Sequence, residues 1–396
     1  MATAGTLGET ITVEALEADP YPIYARLRAE EPVSFVPAVG LWLVTRWEDV
    51  EHVDLHPEIF TGETDPSTLN RTLGKNMLGS EGPSHRRIRA VVEPPFRPRA
   101  VERSTAELIP RFASELIDGF AGRGEVELVS EFAEPMSVLT LRSVLGLDEV
   151  PVETLARWFD EFCIGLANFE GDPEKQAIAD RASAEATDTM LPILERLQRE
   201  PDGSMIASML QADLDGECLT SEEVLANVKL MLSGGLQEPR DLIALAVWAL
   251  LSHPEQAAEV AADPSLVRGA VEETARCYSP VGTSTRQTTR ATTLAGIELE
   301  GGALVGAVLA SANRDERRFT DPERFDIHRK EGAHLAFATG PHYCLGAWLG
   351  RATVRTSLRL LFERLPGLRL DPGSEVVLRG WEFRKPLSVR LLFDAT

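Results

Sequence analysis

The sequence predicts a mainly α-helical protein with small β-sheets. Helical periodicity runs from about Pro83 to Leu251 and is broken only by Pro and Gly clusters. Short β-rich segments stand before and after that region. No internal repeat, low-complexity tract or linker-like stretch interrupts the order. We therefore predict one domain over residues 1–396, although the length alone would allow about two or three.

The first elements follow from local patterns. Residues 19–28 read DPYPIYARLR and predict a helix with Pro22 near its start and apolar residues at helical spacing. Residues 33–45 contain two β-rich pieces around Gly40, which is typical of a hairpin. Residues 222–251 read as one long helix of roughly 45 Å, at about 1.5 Å per residue.

Later strands are indicated by turn residues. Residues 293–309 predict strands that turn at Gly301-Gly302, and residues 368–392 predict strands that turn at Asp371-Pro372-Gly373. Small sheets are therefore expected at the two ends of the chain.

The composition excludes several classes of function. The 62 acidic and 40 basic residues leave a formal net charge of −22, which argues against coating nucleic acid or an anionic membrane. Residues 1–13 have no basic start and no sustained apolar core. The longest apolar run, Leu242–Leu251, has ten residues, whereas a membrane-spanning helix needs about 20. We expect a cytoplasmic protein with no nucleic-acid or membrane partner.

One of the four cysteines stands in a distinctive setting. None of the four forms a C-x-x-C pair, so neither a zinc site nor a disulfide framework is predicted. Cys344 follows the tight Gly340-Pro341 turn and precedes a predicted helix, whose free N–H groups and dipole favour a thiolate. A single thiolate indicates a metal that brings its other ligands, as a porphyrin iron does. The alternative is a buried structural cysteine.

The residues around Cys344 carry a ten-residue motif, F-x-x-G-x-H-x-C-x-G, realised as Phe337, Gly340, His342, Cys344 and Gly346. This motif resembles the haem-ligand loop of the cytochrome P450 family. The resemblance implies haem b, with Cys344 as the proximal iron ligand, Phe337 packed against its sulfur and His342 at a propionate. Gly346 would permit close approach, and the thiolate would favour O–O cleavage.

Other residues match further landmarks of the family. Glu273 and Arg276 match E-x-x-R, whose buried ion pair ties the core to the segment behind the haem. His85 and Arg89 match a propionate-binding H-x-x-x-R pair, and Arg286 matches a third propionate ligand. Taken alone, each would more often be a surface base or a solvated helix pair.

The predicted central helix departs from the family. Most P450s carry Gly-x-acid-Thr where this sequence has Gly235-Leu236-Gln237-Glu238-Pro239. Pro239 has no N–H, so the carbonyl of Gly235 would lose its partner and the helix would open. We expect Gln237 and Glu238 to be catalytic, with Glu238 relaying protons or anchoring water above the iron. The alternative is two helices that meet at Pro239 and leave Glu238 exposed.

This variant, with similarity near both ends of the chain, resembles bacterial P450s that O-demethylate methoxyaromatics such as guaiacol. The resemblance implies insertion of one oxygen of O2 into a C–H bond of a small aromatic substrate, with release of formaldehyde. Six residues are expected to line the substrate cavity: Leu73, Leu166, Leu230, Gly234, Val281 and Phe383. Thr283 and Ser284 are candidate hydroxyl donors to a polar substituent. Ordinary core packing is the alternative for each wall residue.

Two other functions stay open. A peroxygenase would use hydrogen peroxide without a reductase, which the missing threonine permits, and a haem sensor would have no turnover.

Electron supply is expected to need a separate partner. The sequence has no flavin or iron–sulfur segment, so electrons from NAD(P)H would come through a ferredoxin and its reductase, or a flavin and iron–sulfur reductase. Between His85 and Arg103 six arginines stand with only two acids, and the resemblance places this segment on the surface nearest Cys344. We predict that the partner docks near Arg86, Arg87, Arg97 and Arg99.

Overall fold

The computed structural model describes residues 6–168, 171–213 and 218–395, and in this part the chain is mainly helical with small sheets, as predicted. The α-helices are α1 (Val13–Ala18), α2 (Tyr21–Glu30), α3 (Trp47–Leu55), α4 (Thr68–Leu73), α5 (Gly82–Val92), α6 (Pro98–Thr105), α7 (Leu108–Asp118), α8 (Glu134–Leu145), α9 (Val152–Leu166), α10 (Pro173–Arg199), α11 (Met205–Gln211), α12 (Ser221–Gly235), α13 (Gln237–Leu251), α14 (Pro254–Ala262), α15 (Val267–Tyr278), α16 (Leu309–Ala312) and α17 (Ala347–Arg364). The strands are β1 (Val33–Val36), β2 (Leu41–Val44), β3 (Phe60–Thr61), β4 (Glu125–Glu127), β5 (Ser284–Thr288), β6 (Thr292–Leu294), β7 (Ile297–Leu299), β8 (Leu304–Ala307), β9 (Arg369–Leu370), β10 (Leu378–Arg379), β11 (Lys385–Pro386) and β12 (Arg390–Leu392).

The largest sheet joins distant parts of the chain. Its five strands run in the order β1-β2-β8-β5-β3. β1 and β2 form the predicted hairpin, with Val33 opposite Val44, and β8 lies parallel to β2. The prediction of separate small sheets at the two ends is wrong for this sheet, because local patterns do not show which distant strands pair.

The late strands also pair differently from the prediction. The turn between β6 and β7 falls at Ala295-Gly296, while Gly301-Gly302 connects β7 to β8. β9 pairs with β12, and β10 pairs with β11. The turn at Asp371-Pro372-Gly373 therefore follows β9, but β9 does not form a hairpin with the next strand, β10.

Helix α13 lies at the centre of the molecule. Apart from the half-buried Trp248, its side chains from Asp241 to Leu250 are buried, and the helix packs against α15 and α17. The buried part of α13 therefore lies beside the helix that follows Cys344, and its first turn, residues 237–240, is half-buried. Among the described residues, no helix is both long and apolar enough to cross a membrane.

The predicted helix over residues 222–251 is two helices. α12 ends at Gly235 and α13 begins at Gln237, so the break lies at Leu236 and not at Pro239. The hydroxyl of Ser137 on α8 donates to the Leu236 carbonyl at 2.7 Å and lies 3.3 Å from the Gly235 carbonyl. Pro239 has no N–H to donate to the Gly235 carbonyl, so the helix opens at this point. The Ser137 hydroxyl supplies a hydrogen bond to the backbone carbonyls there.

Candidate active site

Cys344 lies in a tight loop that approaches α3. Its backbone N–H donates to the Phe337 carbonyl at 3.0 Å. Gly340 has a φ of +66°, and a Cβ at this position would stand 2.5 Å from the carbonyl oxygen of Asp54. Both the backbone conformation and the close approach therefore require glycine. α17 begins at Ala347, three residues after the cysteine.

The Cys344 thiol faces an interior space. The side chain has accessible surface, yet protein surrounds it closely enough for desolvation to act on it. Burial, followed by the charge of Glu238, raises the pKa of the Cys344 thiol to about 11. The N–H of Gly346 at the helix start lowers this pKa, as expected for a helix N-terminus, but desolvation is the larger effect. A metal ion that binds this sulfur must displace its proton.

The surroundings of Cys344 fit an iron porphyrin. A Cβ added to the half-buried Gly346 would meet no protein atom within 4 Å. His85 is buried, and among the described residues nothing hydrogen-bonds its Nε2. In the same ranges no three His, Cys, Asp or Glu side chains converge on a possible metal position. An ion on Cys344 would therefore need ligands that the cofactor brings, which is what a porphyrin supplies.

The predicted propionate ligands meet at this loop. The ring centroids of His85 and His342 are 4.4 Å apart, and Arg89 Nη1 lies 3.5 Å from the carbonyl oxygen of Pro341. Arg286 reaches the loop through Asp54, which accepts a hydrogen bond from the Thr339 N–H at 3.3 Å. Haem carries two propionate carboxylates, and a buried carboxylate needs basic hydrogen-bond donors beside it. A cluster of basic side chains such as this one would meet that need.

Three carboxylates that sequence analysis missed are paired with these bases. The pairs are Asp54–Arg286 at 3.3 Å, Glu81–His342 at 3.0 Å and Glu93–Arg89 at 2.8 Å. Asp54 is fully buried, and burial raises its pKa. The partners of Asp54 and Glu81 are more than 200 residues away in sequence, so no local pattern indicates them.

A second group of charges anchors the other side of the loop. Arg276 donates to both carboxylate oxygens of Glu273 at 2.8 Å, and the two side chains are 2% and 3% exposed. Glu272, also missed, accepts hydrogen bonds from Arg351 at 2.9 Å and holds the start of α17 against α15. The Arg351 guanidinium lies 4.1 Å from the ring centroid of Phe337 and so positions that ring.

The distal acid lies in the first turn of α13. Oε2 of Glu238 has almost no accessible surface, and no described residue hydrogen-bonds it. Burial, assisted by the charge of Asp241, raises the pKa of Glu238 to about 8. Since Glu238 also raises the pKa of Cys344, both groups face the same interior. The side chain of Gln237 lies close enough to the Asp241 carboxyl to lower its pKa.

The predicted cavity residues differ in how much of each side chain is accessible. Leu73, Leu166 and Leu230 lie in one apolar cluster where α4, α9 and α12 meet. Leu73 is 1% exposed, so the prediction that it lines the cavity is wrong, because neighbouring helices cover it completely. Leu166 and Leu230 are half-buried.

The other cavity predictions fall in two places. Gly234, in the last turn of α12, has open space where a Cβ would stand. Val281 forms an isolated antiparallel bridge with Phe383, whose side chain is 43% exposed. Thr283 is buried, so its hydroxyl is not available to a substrate, while Ser284 is half-buried in β5.

The arginine-rich segment occupies α5 and α6. Arg86, Arg97 and Arg99 are exposed. Arg87 differs from the prediction because it is half-buried in an ion pair with Glu223 of α12. α6 packs against α17, so part of this segment lies on the side of the helix that follows Cys344.

A thiol loop surrounded by bases, near a broken central helix that carries an acid with an inaccessible oxygen, is the arrangement expected of a haem-thiolate protein. A family model described as Cytochrome P450 matches residues 174–366. The cytochrome P450 monooxygenase PikC of Streptomyces venezuelae is 37% identical over 390 residues, which are 94% of this chain and 89% of that protein. The 6-deoxyerythronolide B hydroxylase of Saccharopolyspora erythraea is 30% identical over 393 residues, which are 93% of this chain and 95% of that protein.

A solved structure agrees with these sequence matches. The crystal structure of CalO2 has a TM-score of 0.87 to this chain at 30% identity and covers 100% of both chains. The chain belongs to the cytochrome P450 family. It is a haem monooxygenase that uses O2 and electrons from NAD(P)H delivered through a redox partner.

Proposed function

We propose that this P450 oxidises a C–H bond of an apolar substrate, with Glu238 as the acid that delivers protons on the distal side. The observation that carries the proposal is the unbonded, inaccessible Oε2 of Glu238 in the turn where the central helix is broken. A buried acid whose pKa is about 8 holds a proton at neutral pH and is suited to general acid catalysis.

The chain's residues have separate tasks in this reaction. Haem b, when bound, supplies the iron at which O2 is activated by two electrons. Cys344 would hold that iron, while His85, Arg89, Arg286 and His342 would hold the propionates. Glu238 would give up the proton at Oε2 and be reprotonated between turnovers. Burial keeps bulk water from supplying protons without control.

Proton delivery predicts a specific variant effect. Glu238→Gln should lower product formed per NADH by about 10²-fold, because the amide cannot donate a carboxyl proton. Product per NADH of the native protein should fall as pH rises through about 8, where Glu238 loses its proton, and the variant should lack this fall.

The matched control is Asp49→Asn. Asp49 also has an unbonded buried oxygen and a pKa raised by burial, but it lies on α3. It should leave product per NADH unchanged. Equal yields from Glu238→Gln and the native protein would refute the assignment.

Aromatic O-demethylation is the narrower form of this proposal. Its support is the similarity of the Gln237-Glu238-Pro239 variant to methoxyaromatic O-demethylases. Hydroxylation of an aryl methoxy methyl group gives a hemiacetal, which collapses to a phenol and formaldehyde. Hydroxylation of a larger substrate is the second candidate, since one relative is named as a 6-deoxyerythronolide B hydroxylase.

The substrate class can be tested with a competent reductase. The panel contains methoxybenzoates, guaiacols and anisoles, with 6-deoxyerythronolide B as the large compound. Formaldehyde from any aryl ether supports O-demethylation, and a hydroxylated macrocyclic product without formaldehyde favours the second candidate. No formaldehyde from any aromatic compound rejects the narrower form.

Two alternatives from sequence analysis are tested in the same assays. Peroxide-driven turnover that exceeds reductase-driven turnover would identify a peroxygenase. A compound that shifts the ferric haem to high spin but is never oxidised under reducing conditions would indicate a sensor.

A further inference from the structure

A buried polar cluster lies beside Glu238 in the first turns of α13. Asp241 follows Glu238 by three residues, so the two share a face of α13. The Asp241 side chain is buried and accepts a hydrogen bond from Arg240 Nε at 2.8 Å. The Gln237 side chain is close enough to the same carboxyl to lower its pKa.

The cluster leads from the interior to the surface. Arg240 Nη1 lies 3.8 Å from Oε2 of Glu134, whose side chain is 46% exposed at the start of α8. Lys385 of β11, a strand packed on α13, is close enough to lower the pKa of Asp241. The charged groups that act on Asp241 are therefore Arg240, Glu238 and Lys385, and Glu134 lies beyond Arg240.

The interior favours the protonated form of Asp241 more than bulk water does. Burial raises its pKa in spite of the opposing charge of Arg240. The charge of Asp241 also raises the pKa of Glu238, so the two carboxyls interact electrically. Neighbouring acids that repel one another's ionised forms tend to share protons.

We propose that Asp241 resupplies the proton that Glu238 gives up, with Arg240 holding its carboxyl in place. The proton leaves the Asp241 carboxyl and joins the Glu238 carboxylate, and Asp241 then takes a proton from water that reaches Arg240 and Glu134. No electron moves and no other bond changes. The inference rests on the proposed function of Glu238.

The test compares Asp241→Asn, Asp241→Glu and Glu238→Gln in the haem-loaded protein with its reductase. Peroxide released per NADH and the rate ratio in H2O and D2O are measured across pH. Asp241→Asn should raise peroxide per NADH on the order of tenfold and increase the solvent isotope effect. Asp241→Glu, which keeps a carboxyl, should restore most of the native behaviour.

The outcomes separate this inference from the proposed function. Native peroxide release and a native pH profile in Asp241→Asn, beside a defect in Glu238→Gln, would overturn the inference alone. Native behaviour in Glu238→Gln would overturn the proposed function first. The reduced CO spectrum and thermal midpoint report whether each variant folds. If Asp241→Asn fails to fold, Glu134→Gln should give a several-fold rise in peroxide, and no change would reject the route.

Discussion

Charged groups near Cys344 on the proximal side are paired, whereas two ionisable groups on the distal side form no salt bridge with any described residue. Asp54 pairs with Arg286, and Glu272 with Arg351. Lys229 of α12 is buried and, among the described residues, donates to the hydroxyls of Ser183 and Thr187, at 2.8 and 2.7 Å. No described residue hydrogen-bonds Oε2 of Glu238.

This difference separates a positioning region from a reactive one. Paired charges hold the Cys344 loop in one geometry, which a metal ligand requires. Unpaired buried groups cost stability and have shifted pKa values, and such groups concentrate where chemistry occurs. Removing an unpaired buried charge on the distal side should therefore stabilise the protein, whereas disturbing the proximal loop should destabilise it.

The largest effect is expected in the proximal loop. Gly340→Ala should destabilise the protein by about 3 kcal/mol and reduce haem retention, because the new Cβ would meet the Asp54 carbonyl and φ is +66°. Urea unfolding and haem content after gel filtration measure both effects.

Gly350→Ala is the matched control for the loop. Gly350 lies in α17, where an added Cβ would meet no atom within 4 Å. Alanine should be neutral or slightly stabilising in this helix. Equal unfolding free energies for the two variants would show that the loop does not require glycine at 340.

On the distal side Lys229→Met should stabilise the protein by about 1–2 kcal/mol at pH 7, since it removes a buried charge that has no counter-ion. Burial lowers the pKa of Lys229 to about 8 from its ordinary 10.5. The unfolded chain therefore binds more protons between these pH values, and native stability rises with pH through that window.

Urea unfolding at pH 7 and pH 10 tests this prediction. The gain from Lys229→Met should shrink at the higher pH. Lys330→Met, at an exposed position, should have little effect at either pH. A loss of stability in Lys229→Met at pH 7 would show that its two hydroxyl partners outweigh the cost of burial.

A smaller effect is expected at the helix break. Ser137→Ala should cost about 1 kcal/mol, because the Leu236 carbonyl loses its hydrogen bond. Ser357→Ala is the matched control, since the buried Ser357 hydroxyl has no hydrogen-bond partner among the described residues. If both substitutions have the same cost in urea unfolding, Ser137 does not stabilise the break.

The smallest effect is expected for the rate at which the redox partner reduces the protein. We propose that this partner docks at the exposed arginines of α5 and α6. Arg97→Ala with Arg99→Ala should slow the second-order reduction rate several-fold at low salt, because an acidic donor loses electrostatic steering. The difference should vanish at high salt. Arg379→Ala on β10, exposed and remote in the fold, is the control. An unchanged rate at low salt would place docking elsewhere.

Local motifs explain what sequence reasoning found at the site. The residues from Phe337 to Gly346 lie within ten positions, so the Cys344 loop can be predicted from one short segment of the sequence. The opening at Pro239 follows from a missing N–H, but its position at Leu236 depends on Ser137, 99 residues earlier. Asp54 and Glu81 were missed because their partners come from distant segments.

Several expectations stay predictions. These are one domain over residues 1–396, a cytoplasmic location, and the roles of the propionate-binding and remaining cavity residues. Burial could not be predicted from the sequence pattern, which is why the wall position of Leu73 was misjudged. How much protein covers a side chain depends on the packing of distant helices.

The most direct test of the account is the optical spectrum of the reduced, haem-loaded protein with CO. Thiolate ligation through Cys344 predicts a strongly red-shifted Soret band, which Cys344→Ser should lose and Cys163→Ser should keep. A Soret band at the position typical of histidine-ligated haem, in native protein with its full haem content, would contradict the account.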